Sequence, residues 1–179
     1  MRAAWIWRRK IMSKKVKRLT FLGLAASVAL ILSYVEAMLP PLFSAVPGIK
    51  AGLPNIVIIF LLYRFGVKDA ATVSLVRMLL VTLLFGNPVM LLYSMAGALL
   101  SLVLMTLCKQ ADFLSTVGVS IVGGIAHNLG QILVAICILE TVEIGYYMIV
   151  LAVSGCLSGI LIGLAGAALL RALKNVRIQ

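Results

Sequence analysis

Acidic residues are scarce in this chain. Five aspartates and glutamates stand against sixteen lysines and arginines in 179 residues, and charged side chains of both signs reach only 12%. A soluble domain carries about 25% charged residues, so a water-facing surface of ordinary composition is excluded. Histidine occurs once, at His127, which leaves no pair of imidazoles for a metal site. The three cysteines, Cys108, Cys137 and Cys156, are isolated in apolar surroundings without CxxC or Cys/His spacing, so neither a zinc site nor a disulfide framework is encoded. No serine or cysteine stands at a recognisable nucleophile spacing from His127. No phosphate-binding loop of the Walker type is present, so any energy for active transport must come from another subunit.

What fills the chain instead is hydrocarbon. Hydrophobic residues make up 63% and the mean hydropathy is +1.17. Long apolar runs of this kind indicate membrane spans. The net charge of +11 is concentrated at the start, where eight of the sixteen basic residues fall in the first eighteen positions, from Arg2 to Arg18. A basic run immediately before an apolar helix is a cytoplasmic topology signal and a contact for anionic lipid headgroups, so nucleic acid is not the expected partner. The apolar run from about Thr20 to Leu39 is too long for the core of a cleaved signal, and Pro40-Pro41 follows in place of a small-residue cleavage site. It is read as a retained first helix. Met12 offers an alternative start; the upstream "MRAAWIWRRKI" is either a start-site extension or an interfacial segment carrying Trp5 and Trp7.

Breakers divide the remainder into an all-α, six-helix membrane bundle, with helices expected at about 20–39, 54–66, 69–86, 88–108, 113–139 and 145–171. The second is short for a span of about 20 residues. Residues 1–19 form a basic cytoplasmic tail, 20–172 the membrane domain and 173–179 a second cytoplasmic tail. Fourteen of the sixteen basic residues then lie on one face, Lys50 lies on the other, and Arg77 lies within helix 3. That asymmetry predicts that both termini are cytoplasmic.

A few polar residues interrupt the spans. Arg77 sits about eight residues from either end of its helix, where an arginine costs about 2.5–3.5 kcal/mol on insertion scales and faces a cavity or a counter-charge. Glu36, near the outer end of helix 1, is placed to pair with Lys50 or Arg77. In "GGIAHNLGQILVA" (123–135), His127 and Gln131 are four apart and share a helix face, with Asn128 beside them and glycines allowing close approach. This cluster is either interhelical hydrogen-bond glue or the wall of a polar cavity. With Lys50, Asn55 and Asn87 it traces a polar path from the outer surface toward mid-membrane. Gly155, Gly159, Gly163 and Ala167 recur every four positions and predict a close-packed face on helix 6.

The stretches "PGIKAGLPNIVIIFLLYRFG" (47–66), "SLVRMLLVTLLFGNP" (74–88), "YSMAGALLSLVLM" (93–105) and "VGVSIVGGIAHNLGQI" (117–132) resemble the Gx transporter family, also described as heptaprenyl diphosphate synthase component I. That family is similar to the substrate-binding S components of energy-coupling factor (ECF) transporters. The resemblance implies capture of a small vitamin-like molecule from outside, with a T subunit and two ATPases as partners in a bacterial cell membrane. It implies that Ala25 and Ala29, as an AxxxA pattern on helix 1, contact the T subunit, and that Lys50 and Asn55 lie at a lid over the pocket. A prenyl diphosphate synthase needs aspartate-rich motifs to hold magnesium and diphosphate, and this chain has only the isolated Asp69 and Asp112. The expectation is therefore a binding subunit without catalytic residues or a resident cofactor. Its candidate ligand residues are Glu36, Lys50, Asn55, Arg77, Asn87, His127, Asn128 and Gln131, and its ligand is anionic, carbonyl-rich, or quinone- or flavin-like. A membrane component of a quinone- or flavin-linked electron-transfer system is the alternative, followed by an accessory role in isoprenoid diphosphate synthesis.

The topology has a direct test. In intact cells, a membrane-impermeant amine reagent should label Lys50, whereas Lys109 and Lys174 should react only after permeabilisation; the reverse pattern on peptide mass spectrometry would invert the orientation.

Overall fold

The computed structural model describes residues 2–39 and 52–175. Within them the chain is helical throughout: α1 (Arg2–Met38), α2 (Asn55–Arg64), α3 (Val67–Phe85), α4 (Pro88–Ala111), α5 (Thr116–Leu139), a 3-10 segment over Val142–Tyr147, and α6 (Met148–Ala172). Six α-helices agree with the count expected from the sequence. Four segments are long and apolar enough to cross a bilayer, namely Lys14–Met38, Pro88–Ala111, Thr116–Leu139 and Val142–Ala172. α3 has the length, at 19 residues, but carries Lys68, Asp69 and Arg77.

Two boundaries differ usefully from expectation. α1 starts at Arg2 rather than near Thr20, because no proline or glycine interrupts the chain before Gly23 and the basic stretch is rich in helix formers. Its 37 residues give a rod of about 55 Å, well beyond a hydrocarbon core of about 30 Å. α6 starts three residues late, after a 3-10 turn that carries Glu143. The left-handed Glu140 (φ 50°) ends α5, and Asp112 (φ 53°) ends α4 in the same way.

The packing order around the bundle is α1, α3, α4, α5, α6, α2 and back to α1, with α2 also against α3. α2 is the innermost element. At 10 residues, about 15 Å, it cannot span, and Val57 to Leu62 are buried on every side. A helix apolar all round belongs in an interior. Its last turn is held by Lys109, whose Nζ donates to the Leu62 carbonyl at 2.7 Å and lies 5.1 Å from the Tyr63 ring centre. Phe21 and Phe65 stack nearby with centroids 4.9 Å apart. At this same basic end, Arg18 on α1 donates to both carboxylate oxygens of Asp69 on α3, each at 2.8 Å. Asp69, isolated in the sequence, is thus an ion-pair partner, and its side chain is only 7% exposed.

Glycines bring α5 against both neighbours. A Cβ at Gly159 would lie 2.6 Å from the Ile121 Cα, and one at Gly163 would lie 2.7 Å from the Val117 Cα. The glycine ridge of α6 is therefore a packing face against α5, as its period predicts. Gly97 and Gly130 do the same between α4 and α5, with a Cβ at Gly130 falling 2.8 Å from the Gly97 Cα.

Ala25 and Ala29 lie at 7% and 0% exposure in the chain's own core. This corrects their expected role as partner contacts: the small residues of α1 turn inward to admit α2 and α3. The surface α1 leaves outward carries Leu24, Val28, Ile31 and Val35 instead.

Because the Ile121 backbone occupies the space a side chain would need, Gly159→Ala should lower stability by about 1–3 kcal/mol, read as an earlier thermal transition in detergent. Gly23→Ala, where an added methyl meets open space, should change stability by less than about 1 kcal/mol.

Candidate functional site

The half of the bundle remote from the Arg18–Asp69 pair encloses a cavity of about 180 Å³ to which all six helices or their caps contribute. α2 begins at this cavity. The turn before it runs Gly52-Leu53-Pro54-Asn55, with the Asn55 N–H donating to the Gly52 carbonyl at 2.8 Å. Gly52 takes φ +74°, in the left-handed region, and a Cβ there would lie 2.9 Å from Ile162 Cδ1 and 3.3 Å from Asn55 Nδ2. Only glycine meets both demands without strain. The Gly52 N–H donates to the Glu36 carboxylate on α1. Glu36 therefore fastens the start of α2 to α1, rather than pairing directly with Arg77 as the sequence had left open.

Arg77 enters from α3. Its Nη1 donates to Ser33 Oγ at 3.2 Å, and Ser33, itself buried, donates its hydroxyl hydrogen to the Ala29 carbonyl at 2.8 Å. A serine that gives its proton to the helix backbone keeps lone pairs for an arginine. Arg77 Nε is buried with no hydrogen-bond partner among the described residues. Such an atom calls for an explanation, since leaving a buried donor unmade costs about 1–3 kcal/mol.

The opposite wall comes from α5 and α6. His127 Nε2 and Gln131 Nε2 are 3.2 Å apart, one helical turn from each other. With two nitrogens facing, Gln131 is the donor and the imidazole Nε2 the acceptor, which assigns the ring its Nδ1–H tautomer while this bond is made. The His127 ring rests on α4, where Gly97 leaves room: a Cβ at Gly97 would lie 3.0 Å from the ring. Asn128 Nδ2 donates to the Leu151 carbonyl of α6 at 2.6 Å. Of the two roles open to this cluster, interhelical glue and cavity wall, Asn128 fills both.

Six of the eight candidate ligand residues thus line one space: Glu36, Asn55, Arg77, His127, Asn128 and Gln131. Lys50 lies outside the described residues. Asn87 does not reach the cavity; it is exposed and caps α4, its side chain accepting from the Met90 N–H at 2.8 Å. An asparagine before a first-turn proline is a helix N-cap signature, and that reading competes with a ligand role. Ser33, Thr82, Ser94 and Ser158 also line the cavity. Ser33 was findable, being three residues before Glu36 on one helix face. The other hydroxyls carry little signal in a membrane helix, where each can bond its own backbone, as Thr82 does to Met78.

Residues 25–169 match the family described as heptaprenyl diphosphate synthase component I, so the match covers most of the chain and every lining residue. No curated protein and no solved structure matches it.

The Glu36–Gly52 bond is a hydrogen bond to a charged acceptor, worth about 1.5–3 kcal/mol. Glu36→Ala should therefore speed amide exchange at Gly52 by about ten- to a hundredfold in hydrogen–deuterium exchange, with Glu36→Gln intermediate. Unchanged exchange would show that the turn holds without α1.

Proposed function

The chain belongs to the heptaprenyl diphosphate synthase component I (Gx transporter) family of membrane proteins, and on that premise we propose that it is a solute-binding membrane subunit, similar in role to the S components of ECF transporters. One observation carries this reading: the cavity gathers an arginine, a glutamate, a histidine and three side-chain amides from four helices into one partly enclosed space. Small-molecule sites have this form, an apolar enclosure with a few convergent polar groups. The bundle would present the cavity toward the outside of a bacterial cell membrane, with the basic end of α1 and both termini in the cytoplasm. No motif for nucleotide hydrolysis is encoded, so transport would be driven by a T subunit and a pair of ATPases.

The synthase in the family's name does not supply a reaction. Asp69 is ion-paired with Arg18, Asp112 is the left-handed cap of α4, and both sit at the end opposite the cavity. In our reading the chain binds and delivers a solute, and the name reflects a neighbouring enzyme or an isoprenoid-related cargo.

Affinity purification of the tagged chain from its own membranes in mild detergent should recover an integral-membrane T subunit and ATPases. Uptake into proteoliposomes holding the whole assembly should depend on ATP and fall at least about tenfold with Arg77→Ala, a loss on the scale of one charged hydrogen-bonding group. Purification without any ATPase, together with no ATP-dependent uptake, would overturn the proposal.

A further inference from the structure

We infer that the cavity recognises a net-neutral ring bearing a lactam edge, an N–H beside a C=O, and that the Asn55 side chain reads that edge. The inference rests on reading the cavity as a solute site and names its ligand class. Asn55 opens α2 and borders the cavity. Its backbone N–H is taken by the Gly52 carbonyl, whereas its side-chain amide makes no hydrogen bond among the described residues. Of the side-chain nitrogens and oxygens there that lack a bond, only Arg77 Nε is closed off, so both ends of the Asn55 amide are open to contact. Gln131 and Asn128 are half open. Each gives its amide nitrogen to the protein, to His127 and to the Leu151 carbonyl, and keeps an accessible, unbonded oxygen.

The donors that would hold an anion are already engaged. At the start of α2 the N–H groups of Asn55, Ile56 and Val57 donate to the carbonyls of Gly52, Leu53 and Pro54 at 2.8, 3.2 and 3.1 Å. This helix start therefore lacks the free N–H groups that usually bind anions. The Gly52 N–H donates to Glu36. Arg77 gives Nη1 to Ser33 and has Nε closed off, which leaves Nη2. Glu36 and Arg77 border the same space, so with His127 neutral the lining carries no net charge, and an anion would meet the Glu36 carboxylate. A neutral carbonyl reaches Nη2 without that opposition. An open asparagine amide pairs with a lactam through two bonds at once: Nδ2 donates to the C=O while Oδ1 accepts from the N–H. Asparagine and glutamine read base edges by the same geometry. The open oxygens of Gln131 and Asn128 favour further N–H groups on the ligand.

Three probes of one ring type test this on the full chain in lipid nanodiscs by ligand-observed NMR titration at neutral pH: uracil, 1,3-dimethyluracil and orotate. Uracil should bind about tenfold or more tightly than 1,3-dimethyluracil, which keeps the carbonyls and leaves the amide oxygens without a donor. Orotate, which adds a carboxylate, should bind more weakly than uracil. Asn55→Ala should abolish the preference for uracil over 1,3-dimethyluracil and leave the thermal transition unchanged, since the side chain bonds to nothing in the protein. Equal binding of uracil and 1,3-dimethyluracil, or tighter binding of orotate, overturns the lactam assignment and leaves the solute site standing. A preference that survives Asn55→Ala, or a lowered thermal transition in that variant, overturns the role of Asn55. Failure of all three probes to bind overturns the lactam class, while the solute-binding reading stands or falls separately on ATP-dependent uptake. The comparison among probes on the unsubstituted chain holds even if Asn55→Ala does not fold.

Discussion

An arginine packed among apolar helices has little water to turn to, and half of this bundle is organised around that fact. The cost of placing a guanidinium away from bulk water falls only where protein groups replace hydration. Here the replacement is assembled from three helices in sequence. The Ala29 carbonyl accepts from the Ser33 hydroxyl, Ser33 then accepts from Arg77, and Arg77 lines the space that Glu36 borders while Glu36 holds Gly52 in the turn before α2. Each link is an ordinary hydrogen bond. Their order matters because removing any one exposes the next group to the same penalty. The chain of bonds stops short at Nε, a buried donor with no partner among the described residues.

The cavity beside Arg77 lies where two other constraints meet. α2 is too short to fill the height of the bundle, and among the described residues only the turn over 52–54 immediately precedes it. The glycine contacts of α5 with α4 and α6 bring three backbones close together, which makes a firm wall from helices that lack large side chains at their crossings. His127 uses the gap that Gly97 leaves, and Asn128 spans to α6 at the level where Gly155 admits it. Small residues in this half therefore have two results: they tighten helix crossings, and they leave room at those crossings for the few large polar side chains.

Much of this was legible from residue order alone. The count of helices, the packing role of Gly159 and Gly163, and the gathering of Arg77, Glu36, Asn55 and the α5 cluster all follow from periodicity and from the expense of polar groups in lipid. The readings that failed did so for definite physical reasons. Asn87 looked like a ligand residue because it is polar and near the outer surface, but capping α4 uses the same amide. Ala25 and Ala29 looked like a docking face because small pairs favour close approach, and sequence cannot say whether the approaching helix belongs to the same chain. Asp69 looked solitary because its partner Arg18 is 51 positions away. Ser33 was missed because a serine in a membrane helix is usually silent, and only the arrival of Arg77 gives its hydroxyl a task.

The length of α1 has a mechanical side. From Arg18, which grips α3 at the basic end, to Glu36, which grips the start of α2, the same helix runs 18 residues without a proline, about 27 Å. Between those two grips Ala25, Ala26 and Ala29 are buried in the core, so one continuous, laterally packed helix holds the ion pair at one end and the Gly52 turn at the other in a fixed relation.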